Sequence, residues 1–400
     1  SKLGPRPLPK VRSRARVLQA PMAAVQVAPI PDFPLGPRRT FADAVAAAPA
    51  YVPRKANVRR RAAFDIGSGT TKLLVAVVDV DTSRCTDVLL TCELPVLYGV
   101  DSKRTADGCL SQEVQTQGIK VLRSLLAEVK ALQAECVAAV ATEVFRRAPN
   151  GASFVARVYN ELGLRMCVVD QTVEAMLGFR TAAALTDIPH EDLVMWDCGG
   201  GSFQLVRTNL CGSAGKFSMH LGRLGDSVAT AMLLKLQGRE VANCASPNPV
   251  SLREAELLIE ALEQEMPEAP DWLRDSSGVV AIGGRNSMFF LLADMLRDGL
   301  VQGDVAVGLD ADGAPASCTI EPWALQAAIE AVAGGSEEDL ARRWCWRESS
   351  DPASLVLPKL CLLAASMRSF GLPAVQWRRT VGSCPGIVIS EPDTFGAATQ

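Results

Sequence analysis

Apolar residues from Ala62 onward follow two patterns that alternate along the chain. Short runs that are almost wholly apolar indicate buried strands, as in "KLLVAVV" at 72–78 and "CVAAVAT" at 136–142. Between such runs, apolar residues spaced three or four positions apart predict amphipathic helices. Residues 114–132 form one of these helices, and a second is predicted to end at Gly163. This alternation of strands and helices is typical of an α/β protein.

The same patterns predict further elements toward the C-terminus. Each of them is bounded by glycine, proline or a capping residue. The predicted strands cover 165–170, two segments within 193–209, and 278–284, and the predicted helices cover 151–163, 251–266 and 286–299.

A weak internal repeat organises these elements. Asp65–Gly69 and Asp197–Gly201 both read D-x-G-x-G, and each lies between two apolar runs. Two copies of one strand-turn-strand unit predict two related domains that face each other, with a ligand held between the turns. We place these domains at 61–190 and 191–400.

The glycine-rich turn at 67–69 has two possible functions. A dinucleotide-binding loop needs a helix directly after its glycines, and its G-x-G-x-x-G pattern is incomplete here. The residues after Gly69 are instead β-branched and apolar on every face, which favours a hairpin. Such a turn can direct backbone N–H groups and hydroxyls at phosphate oxygens, while Asp65 at the strand end can hold a divalent cation. An ordinary tight hairpin explains one copy of this pattern better than it explains two.

Seven segments together resemble the exopolyphosphatase and guanosine pentaphosphate phosphohydrolase (Ppx/GppA) family, over about residues 60 to 395. They are "FDIGSGTTKLLVAVV", "VAAVATEVFRRAPNGASFVARV", "VVDQTVEAMLGF", "LVMWDCGGGSFQLV", "SMHLGRLGDSVA", "VVAIGGRNSM" and "VQWRRTVGSCPGIVIS". The resemblance implies an α/β fold of two ribonuclease-H-like domains, as in actin, sugar kinases and Hsp70, with an interdomain cleft. It also implies hydrolysis of terminal phosphate from polyphosphate or a phosphorylated guanosine nucleotide, with Mg²⁺ as cofactor.

The resemblance also assigns site residues. Glu174 matches the general base for water, and Arg146 matches an arginine that contacts phosphate. The metal would be held by Asp65, Asp197 and Gln204. Gln204 stands where the family usually has glutamate, and an amide in place of a carboxylate should weaken a Mg²⁺ site. The predicted phosphate-binding residues are Gly67, Ser68, Gly69, Thr70, Thr71, Gly199, Gly200, Gly201, Ser202, Gly283 and Gly284.

Charge is divided unevenly along the chain. Residues 1–60 hold 12 of the 41 Lys and Arg residues and 2 of the 44 Asp and Glu residues, so the remainder has 42 acidic and 29 basic side chains. The basic segment is also rich in Pro and Ala, with one short helix predicted around 38–48. It could be a targeting peptide, a solvated arm, or a tail that binds phosphate. We expect an intracellular protein that is cytoplasmic or, if this segment is a transit peptide, mitochondrial or plastid.

Other features limit the alternatives. The 12 cysteines include no C-x-x-C pair and there are only two histidines, so zinc-ligand spacing is absent. Apolar stretches fall short of the roughly 20 residues of a membrane-spanning helix. We therefore expect a phosphorylated substrate as partner, neither specific nucleic acid nor membrane, and leave a homodimer open. A phosphate-binding regulatory protein with weakened catalysis and an ATP-using kinase of the same superfold remain alternatives to the hydrolase.

Overall fold

The computed structural model describes residues 57–208, 217–239, 246–274, 276, 278–303, 305–310, 312–343, 352–390 and 396–397. The predicted N-terminal extension, 1–60, lies outside these residues except for its end, where the first strand begins at Val58. The short helix predicted around 38–48 lies wholly outside them.

Thirteen strands and thirteen α-helices make up the described part of the chain. The strands are β1 Val58–Ile66, β2 Thr70–Asp79, β3 Arg84–Pro95, β4 Cys136–Ala141, β5 Met166–Val168, β6 Leu193–Cys198, β7 Phe203–Thr208, β8 Phe217–Gly222, β9 Gly278–Gly283, β10 Val307–Leu309, β11 Pro315–Ile320, β12 Val375–Arg379 and β13 Gly396–Ala397. The helices are α1 Tyr98–Arg104, α2 Gln112–Ala131, α3 Glu143–Arg147, α4 Gly151–Leu162, α5 Gln171–Ala183, α6 Asp226–Leu236, α7 Leu252–Glu265, α8 Asp271–Arg274, α9 Met288–Arg297, α10 Pro322–Val332, α11 Glu337–Arg343, α12 Val356–Phe370 and α13 Cys384–Val388.

Two mixed sheets repeat one topology. The first sheet has the order β13-β4-β1-β2-β3 with β5 beside β4, and the second has the order β10-β11-β12-β9-β6-β7-β8. In each sheet three antiparallel strands are followed by a parallel neighbour: β4 pairs with β1 in the first, and β9 pairs with β6 in the second. The repeat in the sequence is therefore a repeat of structure, and the predicted α/β class is confirmed.

The predicted elements are confirmed with small shifts at their ends. Helix α2 begins after Ser111, whose side chain accepts a hydrogen bond from the Val114 N–H and so caps the first turn. Helix α4 ends at Gly163, which adopts the left-handed conformation (φ 69°) that glycine tolerates best. These caps are local, which is why sequence patterns located both helices.

The end of the described chain returns to the first sheet. Helix α13 packs on β1 and β2, where Cys384, Ile387 and Val388 are fully buried beside Ala63 and Leu74. Strand β13 then pairs antiparallel with β4. The predicted second domain, 191–400, thus includes a terminal segment that packs with the first sheet. The sequence did not indicate this return, because a five-residue helix carries no signal for its distant partner.

We call the first sheet with its helices the first unit, and the second sheet with its helices the second unit. Helix α12 is a core helix of the second unit. The stretch Ala353–Phe370 is long and apolar enough to cross a membrane, with a mean hydropathy of 1.3, but 89% of it is buried inside the fold. It packs among α6, α7 and α10. Its burial is that of a core helix.

Candidate active site

The two glycine-rich turns share one geometry. In the first, Asp65 on β1 pairs with Lys72 on β2, and the Gly67 N–H donates to the Thr70 carbonyl at 2.9 Å. In the second, Asp197 on β6 pairs with Gln204 on β7, and the Gly199 N–H donates to the Ser202 carbonyl at 3.0 Å. Lys72 and Gln204 are therefore structural counterparts, each placed across a strand pair from an aspartate.

Both turns line one cavity of about 140 Å³ between the sheets. Ligand pockets usually measure roughly 300–1,000 Å³, so this cavity is small. A β-carbon built on Gly200 would lie 3.7 Å from the Ser68 β-carbon, which shows how closely the turns approach. The predicted residues that line the cavity are Asp65, Gly67, Ser68, Gly69, Thr70, Glu174, Asp197, Gly199, Gly200, Gly201, Ser202, Gln204, Gly283 and Gly284.

Thr71 departs from its predicted position. Successive residues of a strand point to opposite faces, so Thr70 lines the cavity whereas Thr71 is fully buried away from it. Its hydroxyl lies near the phenol of Tyr98. Burial raises the pKa of that phenol, and the Thr71 side chain partly offsets the rise. Thr71 is therefore a core residue of the first unit, and its predicted contact with phosphate is wrong.

Glu174 lies on the first turn of α5, where the Asp170 side chain caps the helix through the Val173 N–H. Its side chain is 12% exposed. The pKa of its carboxyl is raised to about 8, mainly by burial. The negative charges of Asp197 and Asp65 raise it further, and Arg146 opposes the rise. Once deprotonated, a carboxylate with such a pKa is a stronger base than an ordinary one and can accept a proton from water, which it does increasingly as the pH rises through about 8.

Arg146 holds this carboxyl in place. Its two terminal nitrogens each lie 3.0 Å from the Glu174 Oε2, and one of them also donates to the Val169 carbonyl at 2.6 Å. Arg146 is absent from the described lining of the cavity. Its guanidinium therefore lies against Glu174, and its predicted contact with phosphate stays a prediction.

Lys72 is a site residue that the sequence analysis did not select. Its Nζ lies 3.8 Å from the Asp65 Oδ2. Burial lowers the pKa of its ammonium, but Asp65, Glu93 and Asp197 together raise it above its ordinary value. Lys72 in turn lowers the pKa of Asp197, which burial raises to about 6. Lys72 occupies the position of the first repeat that is equivalent to Gln204, the candidate metal ligand, in the second. This equivalence was the signal that could have identified it.

Glu143 is a second residue that sequence reasoning missed, although it lies in the quoted segment "VAAVATEVFRRAPNGASFVARV". It accepts a hydrogen bond from the Ser68 hydroxyl at 3.0 Å and another from Arg147 at 2.8 Å. A β-carbon built on Gly201 would lie only 2.7 Å from its Oε2. Glu143 thus touches both glycine turns, and Gly201 must lack a side chain to admit it.

The predicted metal ligands suit Mg²⁺ by their chemistry. Asp65 and Asp197 present carboxylates to the same cavity, and Gln204 adds an amide at 1% exposure. Magnesium usually binds one or two carboxylates and keeps several waters, so it does not require three acidic ligands. The described residues contain no group of three or more His, Cys, Asp or Glu that could hold a metal.

Comparisons with known proteins agree with the fold. Residues 99–225 match the model of the Ppx/GppA phosphatase family. A bifunctional 3-dehydroquinate synthase/phosphatase of Fusobacterium nucleatum is 24% identical over 168 residues, which is 40% of this chain and 25% of that protein. The match thus spans a quarter of that curated relative.

Solved structures extend the likeness to most of the chain. The Aquifex aeolicus PPX-GPPA enzyme is 21% identical, with a TM-score of 0.61 over 84% of this chain and 100% of that chain. An exopolyphosphatase from Cytophaga hutchinsonii is 16% identical, with a TM-score of 0.61 over 82% of this chain and 96% of that chain. These likenesses show the fold, which is the predicted pair of ribonuclease-H-like units with a cleft between them.

Proposed function

We propose that this chain, whose resemblance to the Ppx/GppA phosphatase family is confirmed, is a phosphohydrolase that releases terminal phosphate from polyphosphate or a phosphorylated guanosine nucleotide. One observation carries the proposal. A buried glutamate, Glu174, with a pKa raised to about 8, lines the same small cavity as two glycine turns of matching geometry. That combination provides a base and two turns that can bind phosphate within one small cavity.

The chemistry requires a base, anion donors and compensation of charge. In its deprotonated form, Glu174 would accept a proton from water as the water oxygen attacks the terminal phosphorus and the bond to the bridging oxygen breaks. The turns would direct backbone N–H groups and the Ser68, Thr70 and Ser202 hydroxyls at the phosphoryl oxygens. A magnesium ion held by Asp65, Asp197 and Gln204 would supply further charge compensation when bound. Positioning and electrostatics dominate such a reaction.

Phosphate release by the purified full chain tests this proposal. The substrates are inorganic polyphosphates of several lengths and guanosine tetra- and pentaphosphate, each assayed with and without Mg²⁺. We expect the Glu174→Gln variant to lose about 100-fold or more of kcat, because it keeps the shape of the side chain but removes the base. Glu256→Gln is the matched control, since Glu256 is 61% exposed on α7 and is not among the residues that line the cleft.

The neutral Gln204 favours a second candidate function. Gln204 is an amide where the family usually has a carboxylate, and this change weakens a metal site. The cleft could therefore bind a phosphorylated ligand without hydrolysing it. Tight binding of polyphosphate by wild type and Glu174→Gln alike, with no phosphate release from either, would establish this regulatory function and refute the hydrolase. Phosphate transfer from ATP to an added acceptor would instead indicate a kinase.

A further inference from the structure

Glu93 belongs to a row of charged residues that crosses three strands of the first sheet. Asp65 on β1 is paired with Lys72 on β2, and Lys72 is paired in turn with Glu93 on β3. An ammonium between two carboxylates is a favourable cross-strand arrangement. Adjacent strands lie about 4.8 Å apart, so β3 lies roughly 10 Å from the strand that carries Asp65. Glu93 therefore lies on the edge strand of the sheet, two strands away from Asp65.

The Glu93 carboxylate crosses the cleft to the second unit. Its Oε2 accepts a hydrogen bond from the Arg285 backbone N–H at 3.3 Å. A β-carbon built on Gly284 would lie only 2.4 Å from the same oxygen, so the carboxylate fits against this turn because residue 284 has no side chain. The turn follows β9, and its glycines, Gly283 and Gly284, are among the predicted phosphate-binding residues.

We propose that Glu93 is a specificity-determining residue: its carboxylate occupies the anion position of the Gly283–Arg285 turn and limits the cleft to substrates with few phosphates. The proposal rests on the proposed function, because it concerns the substrate of the same cleft. A carboxylate that accepts from a backbone N–H stands where a phosphate oxygen would accept. A phosphate chain long enough to reach this turn must displace Glu93 or remain beside it.

The charges of the cleft strengthen the argument. Its described lining carries six carboxylate residues and one cationic side chain, Lys72: the acidic residues are Asp65, Glu93, Glu143, Glu174, Asp197 and Asp226. Three of the other acids pair with cationic side chains outside the lining: Glu143 with Arg147, Glu174 with Arg146 and Asp226 with Lys359. Glu93 shares Lys72 with Asp65 and Asp197, and its carboxylate lies at the third glycine turn. Like charges brought together at a binding surface disfavour that complex, so Glu93 should act against the phosphates beyond the terminal ones.

The experiment compares substrates of different lengths on full-length variants. We expect Glu93→Gln to lower KM for long-chain polyphosphate about tenfold, because it removes a like charge, and to change KM for tripolyphosphate by less than about twofold. Binding of the same two probes, measured by calorimetry without turnover, should shift in the same proportion. The control is Glu113→Gln, which makes the same charge change on an exposed residue of α2. Thermal unfolding checks that each variant is folded.

Glu93→Asp separates occupancy of the turn from charge alone. The shorter side chain keeps the charge but should not reach the Arg285 N–H, so we expect a partial shift toward the Glu93→Gln result. The proposal would be overturned if Glu93→Asp had the same KM for long-chain polyphosphate as wild type. Equal shifts in KM for the long and the short probe in Glu93→Gln would also overturn it. If no variant releases phosphate but Glu93→Gln binds the long probe more tightly, the proposed hydrolase fails while this inference stands. If wild type releases phosphate and Glu93→Gln has no length-dependent effect, the proposed hydrolase stands and this inference fails.

Discussion

The pairing of Glu174 with Arg146 determines how the candidate base responds to pH. Burial raises the pKa of Glu174 to about 8, while Arg146 opposes that rise. A carboxyl group with this pKa is largely protonated at pH 7, and a protonated carboxyl cannot act as a base. The rate of phosphate release should therefore increase as the pH rises through about 8.

The Arg146→Met variant tests whether Arg146 acts through Glu174. Removing the guanidinium removes the charge that lowers the pKa of Glu174, so the acidic limb of kcat/KM should move to higher pH. Arg146→Lys should restore part of the wild-type profile, because it keeps the charge but loses the two-nitrogen contact with one carboxylate oxygen. The control is Arg123→Met, since Arg123 is 61% exposed and pairs with Glu161. An unshifted limb in Arg146→Met would contradict the positioning function.

At the scale of elements, the row across β1, β2 and β3 joins three side chains that are distant in sequence. The carboxyl groups of Glu93 and Asp197 have pKa values that burial raises and Lys72 lowers. In the unfolded chain these acids lose their protons at lower pH than in the folded protein. The free energy of unfolding therefore falls as the pH rises through the pKa values of the folded state. Lys72 limits that loss by compensating their charge.

We therefore expect Lys72→Met to destabilise the protein by about 1–3 kcal/mol at pH 8 and by less at pH 6, where more of these carboxyl groups are protonated. Urea unfolding at the two pH values measures the difference. Added Mg²⁺ should raise the melting temperature of Lys72→Met more than that of wild type, since another cation can then compensate the carboxylates. Lys120→Met, on the exposed face of α2, is the matched control. A loss of stability equal at both pH values would show that packing of the lysine stem, rather than its charge, is responsible.

The elements also show which parts of the site the sequence could predict. The two turns were predictable because glycines, a preceding aspartate and flanking apolar runs are contiguous in the chain. Glu174 was found through a resemblance in its helix, and its placement at the cavity follows from the packing of α5 between the second sheet and α13. Glu93 was not predicted, because its carboxylate reaches the site only through the pairing of β3 with β2 and the approach of the second unit. The position of Thr71 was wrong by one step of strand alternation.

At the scale of the whole molecule, the end of the described chain ties the second unit back to the first. Helix α13 covers β1 and β2, the Ser383 N–H donates to the Asp65 Oδ2 at 2.9 Å, and the buried Arg61 donates to the Val388 and Ser390 carbonyls. Gly382 makes this approach possible, because a β-carbon built on it would lie 2.0 Å from the Asp65 Oδ2 and its φ is 56°. The stability of the first unit and the orientation of Asp65 should therefore depend on residues that follow 380.

A chain that ends at Gly382 tests this dependence. It removes Cys384, Ile387 and Val388, all fully buried, and burying one such apolar side chain is worth about 1.5–3 kcal/mol. All six tryptophans lie beyond residue 190, and the four that the structure describes belong to elements of the second unit, so we expect fluorescence to report mainly on that unit, whereas circular dichroism follows both units. We expect the two probes to give separate urea transitions in the truncated chain, with the earlier one in circular dichroism, because the first unit loses its cover. A chain that ends at Ser390 keeps α13 and is the control, in which the circular-dichroism midpoint should stay near that of the full chain. If truncation at Gly382 leaves that midpoint unchanged, then α13 does not stabilise the first unit, and Asp65 must be oriented by β1 and Lys72 alone.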